Sequence, residues 1–291
     1  MKTSLSFHKV IVGLLVIYLV IPLAATLLFS VAGKWDHTIL PESFTMKWYI
    51  ELFHDERFYG ALQHTLFLIF VTVGLGVVIM LPTIFIITVY FSKWEGWLQT
   101  VAMLPYGIPP IVGAVGLIKV YSNGPLPITG TPWILVGAYF ITILPFMYQG
   151  IRNSLRTVNA VQLVDAAELL GATKFQAFRT VVFPNIISGI LVSTLLSVAL
   201  LFSEFAFANL LVGGRFETIQ IYLADKLNSS GHLTSAIVIT YYSIILLVTG
   251  TVLKLTFKKD KVPSPSSKKR SVFFINKPFR QKNTALEGEN S

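Results

Sequence analysis

Residues 164–184 read VDAAELLGATKFQAFRTVVFP. The stretch is charged and amphipathic, is divided by a glycine and ends on a proline. The chain around it has another character. Of its 291 residues 54% are hydrophobic and 13% charged, and the mean hydropathy is +0.68. A soluble domain carries about 25% charged residues. The stretch is therefore an organised polar interruption in a membrane chain.

Outward from it lie the apolar segments. A bilayer core about 30 Å thick needs roughly 20 apolar residues in a helix, and six segments meet that test. They run over about 10–32, 65–91, 98–118, 133–151, 186–212 and 236–257. Backbone groups in lipid must be satisfied internally, so each is expected as a helix. None alternates with the period of a membrane β-strand. The first follows Lys2 and Lys9 like a signal peptide, but it exceeds the 7–15 residues of such a core and reads as a retained span. The expected fold class is an all-α membrane protein of six transmembrane helices.

Basic residues orient it. With the N-terminus inside, Lys2, Lys9, Lys93, Arg152, Arg156, Lys174, Arg179 and ten residues from Lys254 to Lys282 fall on the inner side. Only Lys34, Lys47, Arg57, Lys119, Arg215 and Lys226 fall outside. This is the positive-inside pattern with both termini cytoplasmic. Trp35, Trp94, Trp97 and Trp133 stand at span ends, where interfacial anchors belong. The expected organisation is a cytoplasmic N-terminus over 1–9, a permease domain over 10–257 with an inner loop at 152–185, and a tail over 258–291. That tail is rich in Lys, Ser, Pro and Asn and reads as disordered, either solvated or touching anionic lipid. Residues 44–53, FTMKWYIELF, read as a short amphipathic helix at the outer surface.

Two features disturb the spans. Pro105, Pro109 and Pro110 cannot all occupy a regular helix interior, so the third span breaks. It either lines a water-filled path or kinks for packing. Pro82 and Pro145 sit inside other spans. Glu204 is the only acidic residue within a span. It lies about 27 Å along the fifth helix counted from residue 186. Such a carboxylate is a functional candidate by default; it lines the path, or it bonds a neighbouring helix or backbone. Asn209 is its polar companion.

The inner loop carries two short helices. Asn159 reads as a helix N-cap, and Val161, Val164, Leu169 and Leu170 supply the apolar period. Gly171 stands where a helix stops in the left-handed conformation. Thr173 and Gln176 form a capping box for a second helix, which runs to Pro184 at the start of the fifth span. Asp165 is followed by Ala166 and Ala167, a small surface that lets another protein approach.

Several chemistries are excluded. There is no cysteine, hence no disulfide or thiolate metal site. His8, His37, His54, His64 and His232 are scattered, with no metal-ligand spacing. No phosphate loop, H-E-x-x-H or G-x-S-x-G motif is present. No cofactor is expected, and the +9 charge, spread over loops and tail, does not mark a nucleic-acid surface.

The loop resembles the EAA motif of binding-protein-dependent ABC importer permeases. That pattern is an acidic residue, two alanines, three residues, glycine, nine residues, isoleucine, any residue, leucine and proline. Here Asp165, Ala166, Ala167, Gly171, Val181, Phe183 and Pro184 fall at those spacings. The resemblance extends to about residue 258. It implies the type I ABC importer permease architecture in the inner (plasma) membrane of a prokaryote. Asp165, Ala166, Ala167, Glu168, Gly171 and Pro184 would couple to a cytoplasmic ATPase subunit. A second permease subunit, homologue or self, would complete the path, and an extracytoplasmic solute-binding protein would deliver the solute. The path residues would include Pro105, Pro109, Pro110, Glu204 and Asn209. The subunit itself would be no enzyme. SFTMKWYIELF (43–53) and GRFETIQIYLADKL (214–227) resemble the spermidine/putrescine permease branch, which also holds 2-aminoethylphosphonate and ferric-iron permeases. The expected solute is small and polar, polyamine first and aminophosphonate second. An ion-coupled secondary transporter is the alternative; one carboxylate and no visible repeat stand against it.

Overall fold

A computed structural model describes residues 2–35, 38–122 and 126–257; the tail expected at 258–291 lies outside the described residues. In chain order the helices are α1 (Lys2–Ser30), α2 (Lys47–His54), α3 (Glu56–Tyr90), α4 (Glu95–Met103), α5 (Pro110–Ser122), α6 (Pro132–Thr157), α7 (Ala160–Leu169), α8 (Lys174–Gln176), α9 (Phe183–Phe202), α10 (Ala206–Leu211), α11 (Ile219–Leu227) and α12 (Gly231–Phe257). A two-stranded antiparallel ribbon, β1 (Ala32–Lys34) with β2 (Ser43–Phe44), follows α1. α2 is the surface helix expected at 44–53.

Among the described residues five helices are long and apolar enough to cross a membrane, and a bent pair makes the sixth span. The expected spans are therefore present, with three corrections. The third is no single rod: Ser92–Gly107 and Pro110–Ser122 meet at 99°, because Pro109 and Pro110 follow Gly107 without the N–H groups a helix needs. The fifth stops at Phe202 rather than running to 212. The second begins at Glu56 and reaches 35 residues, about 52 Å at 1.5 Å per residue. Pro82 and Pro145 leave their helices unbroken.

The core lies where α3, α6 and α9 meet. Ile84 from α3, Ile143, Met147, Ile151 and Leu155 from α6, and Ile186 from α9 are all buried. α6 and α9 come closest through reciprocal small residues. A side chain on Gly150 would place its Cβ 2.5 Å from the Ser193 Cβ, and one on Gly189 would place it 2.8 Å from the Ser154 Cβ. In each helix the serine follows the glycine by four residues, and the two helices run in opposite directions, so each glycine meets the other's serine. Small residues at such spacing allow close backbone approach in lipid, where no hydrophobic force draws helices together. The serine hydroxyls are satisfied within their own helices: Ser154 donates to the Gly150 carbonyl and Ser193 to that of Gly189, both at 2.7 Å.

Ionic clamps close both ends. On one side Arg57 forks onto Glu217, at 3.3 Å through Nε and 2.6 Å through a terminal nitrogen, and reaches Asp225 at 3.0 Å. Beside it Lys226 and the Tyr222 hydroxyl converge on one Asp55 oxygen, each at 2.9 Å. The other Asp55 oxygen accepts the Arg57 N–H and caps α3. On the opposite side Arg152 and Arg156 donate to one oxygen of Glu95, at 2.6 and 3.1 Å. Arg57 and Lys226, both sorted outside, thus share one cluster of carboxylates, and Glu95 meets Arg152 and Arg156, both sorted inside.

Two outcomes are expected. Gly150→Leu or Gly189→Leu should lower the thermal midpoint in detergent sharply, since overpacking costs about 1–3 kcal/mol, while Ser154→Ala should change it little. Burial pushes the Asp55 carboxyl up, but its bonds from Lys226, Tyr222 and the Arg57 N–H together outweigh that and hold it below the usual carboxylate range. Its stabilising effect is therefore full above the unfolded pKa of about 3.9 and lost as pH falls through the folded value. The midpoint gap between wild type and Asp55→Ala should hold near neutral pH and close below about pH 4.

Candidate functional site

α6 and α9 converge toward the inner side, and the chain between them forms the polar loop. Asn159 begins α7 from a left-handed backbone (φ 51°) and its side chain makes no capping bond. The expected cap is thus corrected: asparagine is used here for the tight turn out of α6, which it tolerates better than most residues. α7 seats Ala160, Val164 and Ala167 on the protein, all buried. Its other face carries exposed Asp165 and Ala166, and it ends at Leu169 and Leu170, each 89% exposed. The two alanines therefore differ. Ala167 fits the helix to its own chain, and only Ala166 offers a small surface outward.

Gly171 takes φ 84°. Its N–H donates to the Glu168 carbonyl at 2.9 Å, and the Ala172 N–H reaches the Ala167 carbonyl at 3.0 Å. This six-to-one and five-to-two pair closes the helix end as a Schellman motif. Thr173 and Gln176 form the expected capping box. The second short helix does not stop at Pro184. It widens into a π-helix over Ala177–Val182 and continues into α9, one helical run from Lys174 to Phe202. The Phe183 N–H reaches back to the Phe178 carbonyl. Pro184 follows in the widened turn, near the start of α9, where its missing N–H is tolerated.

A cavity of about 770 Å³ opens above the bend between α4 and α5. Its walls include Pro105, Pro109 and Pro110 from the bend, Thr142 and Phe146 from α6, and Glu204 from the break between α9 and α10. The expected path prolines and Glu204 are brought together here. Asn209 is not; it is exposed on α10 and outside this wall. Glu204 also serves structure. Its two oxygens accept the N–H groups of Phe207 at 2.8 Å and Ala208 at 3.2 Å. Glu204 thus lines the cavity and braces the break at once. Gln220 satisfies the freed Phe202 carbonyl across the same break at 2.7 Å.

Tyr90, at the inner end of α3, was not singled out by sequence reasoning. Its hydroxyl lies 3.4 Å from Glu168, and the Lys174 ammonium stands 4.5 Å from its ring centroid. A tyrosine at a span end carries no pattern beyond an interfacial anchor.

The sequence matches, over residues 81–258, the family described as binding-protein-dependent transport system inner membrane component. A permease protein of Salmonella typhimurium named for 2-aminoethylphosphonate transport is 25% identical over 238 residues, 81% of this chain and 89% of its own. A sulfate transport system permease protein of Escherichia coli K12 is 27% identical over 217 residues, 69% and 74% of the two chains. The crystal structure of a bacterial ABC transporter that imports the acidic polysaccharide alginate is similar in fold. Its TM-score is 0.71 at 16% identity, over 89% of this chain and 98% of that one. A bacterial alginate ABC transporter in complex with an alginate pentasaccharide-bound periplasmic protein is similar in fold as well, with a TM-score of 0.68 at 16% identity over 90% of this chain and 97% of that one.

Removing the Glu204 acceptors would leave two N–H groups unpaired, at about 1–3 kcal/mol each. Glu204→Leu should therefore lower the thermal midpoint well below wild type, and Glu204→Gln, which keeps one acceptor, should fall between. A Leu variant melting with wild type would remove the bracing role.

Proposed function

Because the chain belongs to the family of binding-protein-dependent transport system inner membrane components, as a multi-pass permease subunit of a prokaryotic ABC importer, we propose that α7 and the Gly171 turn dock in a cytoplasmic ATPase subunit. The observation that carries this is the free face of α7. Asp165 and Ala166 stand exposed, and Leu169 and Leu170 present almost their whole side chains at a rigidly closed helix end. Exposed apolar side chains grouped on a polar element call for a partner surface. Glu168 and Gly171 hold that end in shape, and Pro184 carries it into α9.

The loop joins α6 to α9, and both helices contribute walls to the cavity near the bend. ATP binding that draws two ATPase subunits together would tilt this helix pair and change access to the cavity. ATP hydrolysis takes place in that separate subunit. A second permease subunit, the chain itself or a homologue, faces this one across the path. An extracytoplasmic solute-binding protein delivers the solute to the side of Arg57 and Glu217. This mode of driving replaces the ion-coupled alternative.

The solute proposed is a small polar molecule, an aminophosphonate or a polyamine; the backbone bonds that occupy both Glu204 oxygens favour a bracing role over solute contact for that carboxylate. The relative named for 2-aminoethylphosphonate transport moves that compound ahead of the polyamines expected first; no relative reported above is named for a polyamine or for ferric iron.

Leu169→Glu and Leu170→Glu should abolish co-purification of the ATPase subunit and stop uptake, with membrane insertion unchanged. Retained co-purification and uptake in both would overturn the docking role. The solute is tested separately, by calorimetry of the cognate solute-binding protein with 2-aminoethylphosphonate, spermidine and putrescine.

A further inference from the structure

The docking helix is tied to the membrane body by a chain of side chains that transport alone does not explain. Tyr90 touches both halves of the loop across the Gly171 turn, Glu168 on α7 and Lys174 on α8. Its ring meets Phe85, one helical turn and a little earlier in α3, edge to face at 6.0 Å. Phe85 is buried and packs on Phe178 at 4.5 Å. Phe178 lies in the π-helix and meets Phe183, the first residue of α9, at 6.0 Å. The contacts run unbroken from α7 through α3 to the base of α9. Aromatic pairs at such separations attract one another beyond what area burial gives, and a cation over a tyrosine face adds to that attraction.

We propose that Tyr90 is the positioning residue that makes the loop and α3 move as one body, with Phe85 and Phe178 carrying the displacement to α9. The inference rests on the docking role of α7. The π-helix is the compliant part of this linkage. Its backbone bonds skip one residue, and π turns of this kind recur at functional sites. Without the aromatic contacts, a push on α7 is absorbed by that wide turn. With them it reaches α3 directly, and α3 packs along α6 and the core.

A contiguous row of contacts is not by itself evidence of coupling, so the test measures coupling. The whole importer, with ATPase subunits and its own solute-binding protein, is reconstituted in proteoliposomes, and solute transported per ATP hydrolysed is measured. Tyr90→Leu and Phe178→Leu should each lower that ratio about fivefold, the lower end of usual coupling energies, while the ATPase still co-purifies. Tyr90→Phe, which keeps the ring over Lys174 and against Phe85, should restore most of it. The double leucine variant should lose no more than the worse single one, as expected for residues in one linkage. A wild-type ratio in Tyr90→Leu would overturn the proposal. So would loss of the ATPase from that variant, which would make Tyr90 part of the docking surface. Ala166→Arg separates the two claims. If it leaves ATPase binding intact, the docking role fails; if it releases the ATPase while Tyr90→Leu transports normally, docking stands and the linkage fails.

Discussion

Gly150 and Gly189 stand where no other residue fits, each against a serine of the opposite helix. That mutual fit fixes the separation of α6 and α9, and the separation fixes much else. The loop grows out of the inner ends of these two helices, so its span is set by their spacing. The cavity takes part of its wall from these helices, and most of the rest from the bend and α5. In lipid this contact cannot rely on apolar burial, because the lipid tails are as apolar as the side chains. It relies on shape, and shape tolerates little change. The Glu95 clamp to Arg152 and Arg156 then secures the start of the bent helix to the same end of α6.

Much of this was legible in the sequence, for identifiable reasons. Long apolar runs leave a helix no alternative in a membrane, so the spans could be read from composition. The Gly171 turn and the Thr173 box are local devices whose residues lie within six positions of one another, and both stand where the spacing put them. The bend at 107–110 was foreshadowed by three prolines, though not its angle, which depends on what α4 and α5 pack against. The Gly150–Ser154 and Gly189–Ser193 pairs were not legible. Each is an ordinary small-residue spacing by itself, and its meaning exists only once the two helices face each other. The end of the fifth span at Phe202 was missed for a related reason. Its neighbours remain apolar, and the break is held by two side chains, one of them distant in the chain: Gln220 donates to the Phe202 carbonyl at the end of α9, and Glu204 accepts N–H groups at the start of α10.

Adjacent residues of one motif also separate in three dimensions. Ala166 and Ala167 are identical in the sequence, yet a helix turns about 100° per residue, so one faces outward and the other inward. Glu168 next to them reaches neither way but sideways to Tyr90. A motif read as a single handle therefore divides three ways: one residue faces outward, one faces the chain's own core and one reaches the neighbouring helix.

α1 differs from every other span. Its apolar window is unburied within the molecule, and it packs chiefly against α12, with Phe29 stacked on His232 at 4.0 Å. Some 200 residues separate Ser30 from Gly231. At synthesis rates of about 5–20 residues per second, the first helix waits roughly 10–40 s in the bilayer before its main neighbour emerges. The first span must therefore be stable in lipid on its own terms, and its even hydrophobicity all round meets that need. The pairing of α1 with α12 therefore forms only after nearly all of the described residues have been made.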